Sequence, residues 1–581
     1  MKSNYAIGID LGTSTSEICI YKNNEPLPIP DPITKIPIIP SIVAINERGK
    51  LLVGETARGI VDRKGFGVRE SKRSMGTEAV FTLREQVYRP EEIAALILRK
   101  LKENAEEALG HPIQDVVISV PANFPDAARK ATFNAGEIAG LNVLRLLNEP
   151  TAAALAFGIK NIASEEQLVV FDFGGGTLDI SVLEMFEGVL DVKCSFGDPE
   201  LGGKDFDAVM ISLLLQKFAA QYAEIAVENR EMELKGQAEQ AKKTLSIEQS
   251  CDVRIPYFAT KDGKGIDLDV EITRTEFEQA IEPLLERARI CIREALNAKK
   301  IRPSAIDRVL LVGGTTYIPA VRNMVAEMFG KQPKLDVNPD LAVGIGACVQ
   351  AALAQGLINE ENGIILTDVA PFGLGIDVVS MIGGQVMLTY EPLIERNTTI
   401  PYSVKKTYTL LHAEQQQVEV RLYQDHTGKA RLHGDTQYTG TSGEITDIPP
   451  ASNGNPYPIE IEFSYDISGC ATVKASIPDI HRSIEFAFAP SKIRMSEQEK
   501  RVSTERIQDL WKRHERAKQY ESLINKAERF MAGIPPQERS PLSRAVMDLK
   551  EALTVDNSTN IDAAGDRLID MMFEWENQLG V

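Results

Sequence analysis

Two short glycine-rich segments, each opening on an aspartate, restrict this chain to few backbone arrangements. The first is Asp10-Leu11-Gly12-Thr13-Ser14-Thr15, and the second is Asp172-Phe173-Gly174-Gly175-Gly176-Thr177-Leu178-Asp179. Apolar runs of strand character precede them at residues 5–9 and 168–171, and follow them at 18–21 and 180–183. Each segment therefore reads as a strand, a tight turn and a returning strand. Backbone N–H groups in glycine turns approach phosphate oxygens closely, because no Cβ intrudes. Threonine hydroxyls add donors, and an aspartate at a strand end holds a metal ion through its waters. Two such turns facing one another would clamp a magnesium nucleotide from both sides, and their repetition hints at a duplication within the first region.

Bulk properties narrow the class further. At 581 residues the chain exceeds a single core, and about two to four domains are expected. Hydrophobic residues at 43% and charged residues at 25% are ordinary soluble values. A net charge of −19 without a lysine or arginine run argues against nucleic acid as a partner. No apolar stretch is long enough to span a bilayer, and the residues before Tyr5 lack a signal-peptide pattern. No membrane association and a cytoplasmic location are expected. Cys19, Cys194, Cys251, Cys291, Cys348 and Cys470 are scattered without C-x-x-C spacing, as reduced buried thiols would be.

Along the chain the pattern changes twice. Up to about residue 360, strands such as 116–120 and 309–312 interleave with helical spacing at 93–107, 127–138, 208–226 and 274–298. Glu361-Asn362-Gly363 breaks that pattern before a short apolar run, Ile364-Ile365-Leu366-Thr367-Asp368; composition alone also allows an ordinary edge strand there. From 369 to about 493 apolar residues alternate: Val418, Val420 and Leu422, then Ile459, Ile461, Phe463 and Tyr465, then Ile484, Phe486 and Phe488. That is an all-β unit, read as a sandwich. Ser496-Glu497-Gln498-Glu499 is a capping-box pattern opening a helical segment that runs to the end.

Other segments are suited to phosphate handling. Leu201-Gly202-Gly203-Lys204-Asp205-Phe206-Asp207 is a third glycine turn opening a helix, whose N-terminus favours an anion. Gly313-Gly314-Thr315-Thr316 is a fourth, at a strand end. Asn148-Glu149-Pro150-Thr151 puts a carboxylate at a helix start, and Lys72 is a cation able to face a terminal phosphate. Singly each is more often structural, and an exposed Lys72-Arg73 pair is more often solvated surface; together they resemble the parts of one site.

These motifs, in this order, resemble the signatures of the heat-shock protein 70 family of molecular chaperones (DnaK type). The segments at 7–13, 148–154, 172–177 and 201–207 carry the likeness, and 312–316, 338–340 and 368–376 continue it. The resemblance covers about residues 4 to 500 and implies a multidomain α/β + β + α protein. Residues 1–363 would form an actin-like (ribonuclease H-like, duplicated) ATPase domain and 364–368 the interdomain linker. Residues 369–495 would form a β-sandwich that binds peptide, and 496–581 a short helical lid. Carried over by position, Asp10, Glu149 and Asp172 would hold Mg²⁺ through water. Asp179, with Asp10 and Thr177, would help place K⁺ and the attacking water. Lys72 would stabilise charge on the transferred phosphoryl group. Gly12, Thr13, Ser14, Gly174, Gly175, Gly176, Thr177, Gly202, Gly203, Gly313, Gly314 and Thr315 would surround the phosphates of ATP or ADP. Glu239, Lys242, Ser246, Tyr317 and Asp340 would meet the adenosine, although i, i+3, i+7 spacing also describes a solvated helix face.

The resemblance also implies allostery. Pro121 and Arg129 match a relay pair, and Ile364, Ile365, Leu366 and Asp368 match a linker that docks in one nucleotide state and is released in the other. Ile376, Tyr408, Ala413, Val418 and Val420 fall where the family binds an extended apolar peptide, although alternating aliphatics in a sandwich are equally its core. Unfolded polypeptides, a J-domain co-chaperone and a nucleotide-exchange factor are the implied partners. The chain departs from the pattern in places. Tyr317 replaces an arginine that commonly stacks on adenine, Ser14-Thr15 replaces a Thr-Asn pair, and the stretch from Lys72 to Pro121 is shortened. The 496–581 segment is short for a lid and lacks the usual flexible tail, from which weaker trapping of peptide is expected. A small-molecule kinase would share the phosphate turns but would not call for the β-unit.

Overall fold

The structure, a computed structural model, describes residues 4–222, 231–261, 264–333, 337–358, 364–426, 428, 430, 432–487, 495–532, 534, 539–555 and 558–579. Both glycine turns join antiparallel neighbours. Strand Ala6–Leu11 pairs with Thr15–Lys22, placing Asp10 opposite Glu17, and Glu166–Phe173 pairs with Leu178–Phe186, placing Asp172 opposite Asp179. On its other side each leading strand has a parallel neighbour, Asp115–Val120 in one case and Arg308–Val312 in the other. The first sheet runs Asn142–Asn148, Asp115–Val120, Ala6–Leu11, Thr15–Lys22, Glu25–Pro28, with Ile38–Pro40 also against Thr15–Lys22. The second runs Arg308–Val312, Glu166–Phe173, Leu178–Phe186, Val189–Asp198, Ile365–Leu366. Two lobes thus repeat one order of parallel and antiparallel neighbours. A parallel pair needs a crossover, and helix Asp126–Ile138 supplies it between Asp115–Val120 and Asn142–Asn148.

Helices Glu149–Gly158 and Ala342–Ala354 pack against each other between the sheets. Their alanines share one core with Ala6, Val117, Leu168, Leu310 and Cys348, so the lobes are joined at their base. Ile364 belongs to the same core, and Ile365–Leu366 adds a parallel edge strand beside Val189–Asp198. The apolar run thus forms the edge strand that composition alone allowed. The helical reading over 274–298 is interrupted: Arg274–Ala280 and Glu282–Ala298 meet at Ile281, because Pro283 lacks an N–H and starts a new helix. The 208–226 reading corresponds to Gly203–Gln221; residues 223–226 lie outside the described residues, as do Glu361-Asn362-Gly363 and Phe488.

The β-unit is two four-stranded antiparallel sheets. One runs Gln385–Ile394, Gly373–Ile382, Val418–Asp425, Gln437–Ile445, and the other Tyr402–Thr409, Pro458–Tyr465, Ala471–Ile477, Arg482–Ala487. Leu374, Leu422, Phe463 and Val473 fill the space between them.

The capping box forms as expected: Ser496 Oγ accepts from Glu499 N at 3.2 Å, and Ser496 N donates to the Glu499 carboxylate at 2.8 Å. Helix Glu497–Ala532 follows, then Ser540–Val555 and Ser558–Leu579. No helix among the described residues is long and apolar enough to cross a membrane. The long helix, read from the sequence as the start of a lid, is docked on the first lobe in this arrangement. It packs on Pro90–Leu109 and Asp126–Ile138 of the first lobe, whose core takes in Met495, Ile507 and Trp511. Ion pairs flank this seam: Lys500–Glu137 and Lys518–Glu103 at 2.8 Å, Lys50–Glu521 at 2.5 Å, and Arg506–Glu92. Partly exposed pairs contribute little each, so the apolar side chains supply most of the adhesion.

Trp511 is the largest of them, and truncating a buried tryptophan costs about 3 kcal/mol or more. Trp511→Ala should therefore release the long helix, cutting hydrogen-exchange protection of residues 497–532 by about a hundredfold while the β-sandwich amides stay protected.

Candidate functional site

The turns of the two lobes meet across a cleft. A Cβ built on Gly175 would lie 2.1 Å from Ser14 Oγ, and one on Gly176 would lie 3.0 Å from Thr13 Oγ1. A side chain at either glycine would have to displace these hydroxyl side chains of the first turn. The second turn is closed by Gly174 N donating to Thr177 O at 3.1 Å. Two further turns are tied to it: Gly203 N donates to Gly174 O at 3.0 Å, and Thr315 Oγ1 to the same oxygen at 2.8 Å. Gly203 opens helix Gly203–Gln221, and Gly313 follows the end of Arg308–Val312 with φ of 82°. The first turn is braced by Ser41 Oγ, which donates to Gly12 O at 2.8 Å. The glycine segments Gly12, Gly174–176, Gly202–203 and Gly313–314 are thus assembled at one place.

Negative charge is concentrated beside them. Asp10 accepts from Ser119 Oγ at 2.5 Å. Burial, then the Glu149 carboxylate, raises Asp10 to about 6 against the pull of Lys72 and Ser119. Asp172 is held well above the ordinary range by burial and by Glu149, Asp179 and Asp10. Asp179 is raised to about 7 by burial and Glu149, while hydrogen bonds from Asn123 oppose the rise. Glu149 begins its helix, and the only lysine among these groups, Lys72, is buried and ion-paired with it. Lys72 is therefore part of the interior, not the solvated surface a Lys-Arg pair would ordinarily form. Glu17, opposite Asp10, is also buried and accepts from Gly344 N at 2.8 Å.

Sequence reasoning missed Arg73, although it adjoins Lys72. Its Nη2 donates to Gly176 O at 2.6 Å and to Asp205 Oδ2 at 3.1 Å, bridging the lobes. Lys204 pairs with Glu70 at 2.5 Å in the same sense. At the far side of the cleft, Lys242 Nζ donates to Gly203 O at 2.8 Å and pairs with Asp207 at 2.7 Å. Glu239 instead pairs with Lys243, and Ser246 Oγ donates to Lys242 O. Tyr317 OH donates to Asp340 Oδ2 at 3.0 Å, and the Arg322 guanidinium carbon lies 5.4 Å from the tyrosine ring centroid. The aromatic substitution at 317 therefore keeps a cation against its ring, supplied by the following helix.

Residues 365–368 are bonded to the second sheet and to the start of the Glu149 helix. Ile365 N donates to Gly188 O and Thr367 N to Leu190 O, both at 3.0 Å. Asp368 accepts from Asn148 Nδ2 at 2.8 Å and from Thr151 Oγ1 at 3.2 Å, the two residues flanking Glu149-Pro150. Arg129, 1% exposed, donates to Asn148 Oδ1 (2.7 Å), Ala122 O (2.9 Å), Phe124 O (3.2 Å) and Ser468 O of the sandwich (3.0 Å). Pro121 is buried at the start of that loop, where its carbonyl accepts from Phe124 N. Asp126 and Arg145 add bonds to Ala471 N and Ile467 O.

Away from the cleft, Ile376 and Val420 are buried in the core between the two sheets, with Tyr408 and Val418 packed partly buried against it. Ala413 is half-buried beyond the end of Tyr402–Thr409. The five do not form one open surface in this arrangement.

A strand-turn-strand clamp repeated in two lobes, with its carboxylates wired to a linker and a β-sandwich, defines a nucleotide-operated multidomain protein. A family model described as Hsp70 protein matches residues 74–578. The chain is 37% identical to Chaperone protein DnaK of Thermosipho melanesiensis over 98% of its length and 96% of that protein. It is 38% identical to the Thermotoga maritima protein of that name over 95% and 91%, and 36% to that of Cenarchaeum symbiosum over 95% and 84%. The chain belongs to the Hsp70 family. It is an ATP-dependent molecular chaperone that binds and hydrolyses ATP.

The raised carboxyls carry a pH signature. Between about pH 4 and the folded values near 6 and 7, the folded chain binds more protons at Asp10 and Asp179 than the unfolded chain does. That stabilisation is complete at low pH and is lost as pH rises through 6 to 7. In EDTA the urea midpoint should fall between pH 5 and pH 8, and Asp179→Asn should flatten the fall.

Proposed function

We propose that residues 1–363 form an actin-like nucleotide-binding domain, 364–368 a linker, 369–495 a peptide-binding sandwich and 496–581 a short lid. The repeated strand order of the two lobes supports the actin-like reading. ATP then lies with its phosphates between the turns, met by Gly12, Thr13, Ser14, Gly174, Gly175, Gly176, Thr177, Gly202, Gly203, Gly313, Gly314 and Thr315. Glu239, Lys242, Ser246, Tyr317 and Asp340 take the adenosine. Three buried carboxylates, Glu149, Asp172 and Asp179, with the partly buried Asp10, against one lysine form a donor set that calls for added cations. Among the described residues no three such groups stand close enough to grip an ion directly, which suits contact through water. Mg²⁺ held by Asp10, Glu149 and Asp172, with K⁺ near Asp179, supplies charge neutralisation when bound. Lys72 then turns from Glu149 toward the transferred phosphoryl group, and Thr177 and Asp179 orient water and accept its proton.

The observation that carries the coupling is the bond from Asn148, next to Glu149, to Asp368 of the linker. A shift of the Glu149 helix on hydrolysis pulls on that bond and on the Arg129 contact to Ser468, releasing the sandwich. With the long helix parked on the first lobe, the sandwich leaves Val379, Met381, Val386 and Leu411 exposed. Val379, Met381 and Val386 share one face of paired strands and favour an extended apolar peptide from an unfolded client, for which Ile376, Tyr408, Ala413, Val418 and Val420 are the proposed pocket residues. A J-domain co-chaperone that speeds hydrolysis, a nucleotide-exchange factor and a cytoplasmic location complete the reading.

Single-turnover ATP hydrolysis with and without an extended apolar peptide tests it. Peptide should accelerate turnover several-fold, and an unchanged rate would remove the coupling. Thr177→Ala should lower turnover by on the order of a hundredfold with nucleotide affinity nearly unaltered.

A further inference from the structure

Asn123, in the loop after strand Asp115–Val120, has no part in the scheme above. It is buried, and both its backbone N–H and its Nδ2 donate to Asp179 Oδ1, at 3.3 and 2.7 Å. Its Oδ1 accepts from Arg396 Nη2 at 3.3 Å. A carboxylate only accepts and a guanidinium only donates, so one orientation of the amide satisfies both neighbours. Room for it comes from Gly197, which pairs with Asp179 on the adjoining strand; a Cβ there would lie 2.6 Å from Asn123 Nδ2.

Arg396 belongs to the sandwich, between strands Gln385–Ile394 and Thr399–Ile400. Its Nη2 also donates to Ser195 O at 3.2 Å, Nη1 donates to His426 O at 2.6 Å, and its guanidinium carbon lies 4.0 Å from the Phe196 ring centroid. Next to it, Asn397 Oδ1 accepts from Ser195 N at 3.0 Å. The Nε of Arg396 is buried without a partner, so this guanidinium recovers a hydrogen bond to water when the sandwich leaves. One side chain thus separates the peptide-binding unit from the candidate base, by a route that uses neither the linker nor Arg129.

We propose that Asn123 is a positioning residue: while the sandwich is docked, Arg396 pins its amide onto Asp179 and keeps hydrolysis slow, and undocking releases it. The proposal rests on the function proposed above. Both hydrogen bonds fall on Asp179 Oδ1, so that oxygen is occupied and the carboxylate is held in one orientation while Arg396 is docked. Once Arg396 departs, the amide is free to rotate away.

The test is single-turnover ATP hydrolysis by the full chain, with and without an extended apolar peptide, for the unaltered protein, Asn123→Ala, Arg396→Ala and the double variant. Trp511 fluorescence on adding ATP, in a Trp575→Phe background, reports docking of the long helix independently of turnover. Asn123→Ala should raise the peptide-free rate roughly three- to tenfold, the worth of one hydrogen bond. It should cut peptide stimulation by the same factor and leave the Trp511 response intact. Arg396→Ala should do likewise, carrying the test if Asn123→Ala does not fold, and the double variant should exceed neither. An unchanged or lowered peptide-free rate, or effects that multiply in the double variant, overturns the relay. If the unaltered chain shows no peptide stimulation, the functional reading fails and the relay with it; stimulation that ignores Asn123 overturns the relay alone.

Discussion

The side-chain amide of Asn148 accepts from Arg129 on one side and donates to Asp368 on the other, immediately before Glu149 in the chain. The whole arrangement turns on it. A buried amide left half-satisfied costs about 1–3 kcal/mol, so its partners stay in register or separate together. Arg129 is held by two carbonyls of the loop after Pro121 and by Ser468 of the sandwich, and Asp368 opens the short strand Asp368–Val369 that pairs with Thr399–Ile400. Lobe, linker and sandwich are therefore not independently placed: the position of Glu149 is tied to all three through one side chain.

The cleft imposes a second constraint. Burying Glu149, Asp172 and Asp179, and partly burying Asp10, beside a single lysine is unfavourable unless they are protonated or met by cations. The upward shifts of Asp10 and Asp179 are that cost expressed as proton affinity. Such a cleft is suited to positive charge, which the cations proposed for it would supply. The Lys72–Glu149 pair keeps both partners inside the protein meanwhile.

Docking of the C-terminal helices belongs to the same logic. The long helix rests on the first lobe through Ile507 and Trp511, with screened ion pairs on either side, and the sandwich is held by hydrogen bonds to buried Arg129 and Asp126. Different forces therefore hold the two contacts, apolar burial for the helix and hydrogen bonds for the sandwich. Ile365 shows the balance on a small scale: its backbone is paired, yet its side chain is 65% exposed, whereas Ile364 beside it is buried in the core shared by the lobes.

Local chemistry was legible in the chain by itself. The two Asp-Gly turns, their flanking strands, the Ser496–Glu499 capping box and the alternation of the sandwich depend on residues a few positions apart, and backbone preference decides them. The break at Ile281 was visible in Pro283 but was masked by continuous helical spacing. Ile376 and Val420 alternate as pocket or core residues equally would, and only the packing put them between the sheets. The burial of Lys72, the parking of the long helix on the first lobe, and the path from Arg396 through Asn123 to Asp179 left no local trace. Arg396 and Asn123 are 273 positions apart, and a single arginine or asparagine looks the same in sequence whether it is solvated or pinned. The sequence determined which turns and elements form, because those answer to neighbouring residues. The tertiary structure decided which charges are buried together and which domain touches which, because burial and pairing are set by distant parts of the chain.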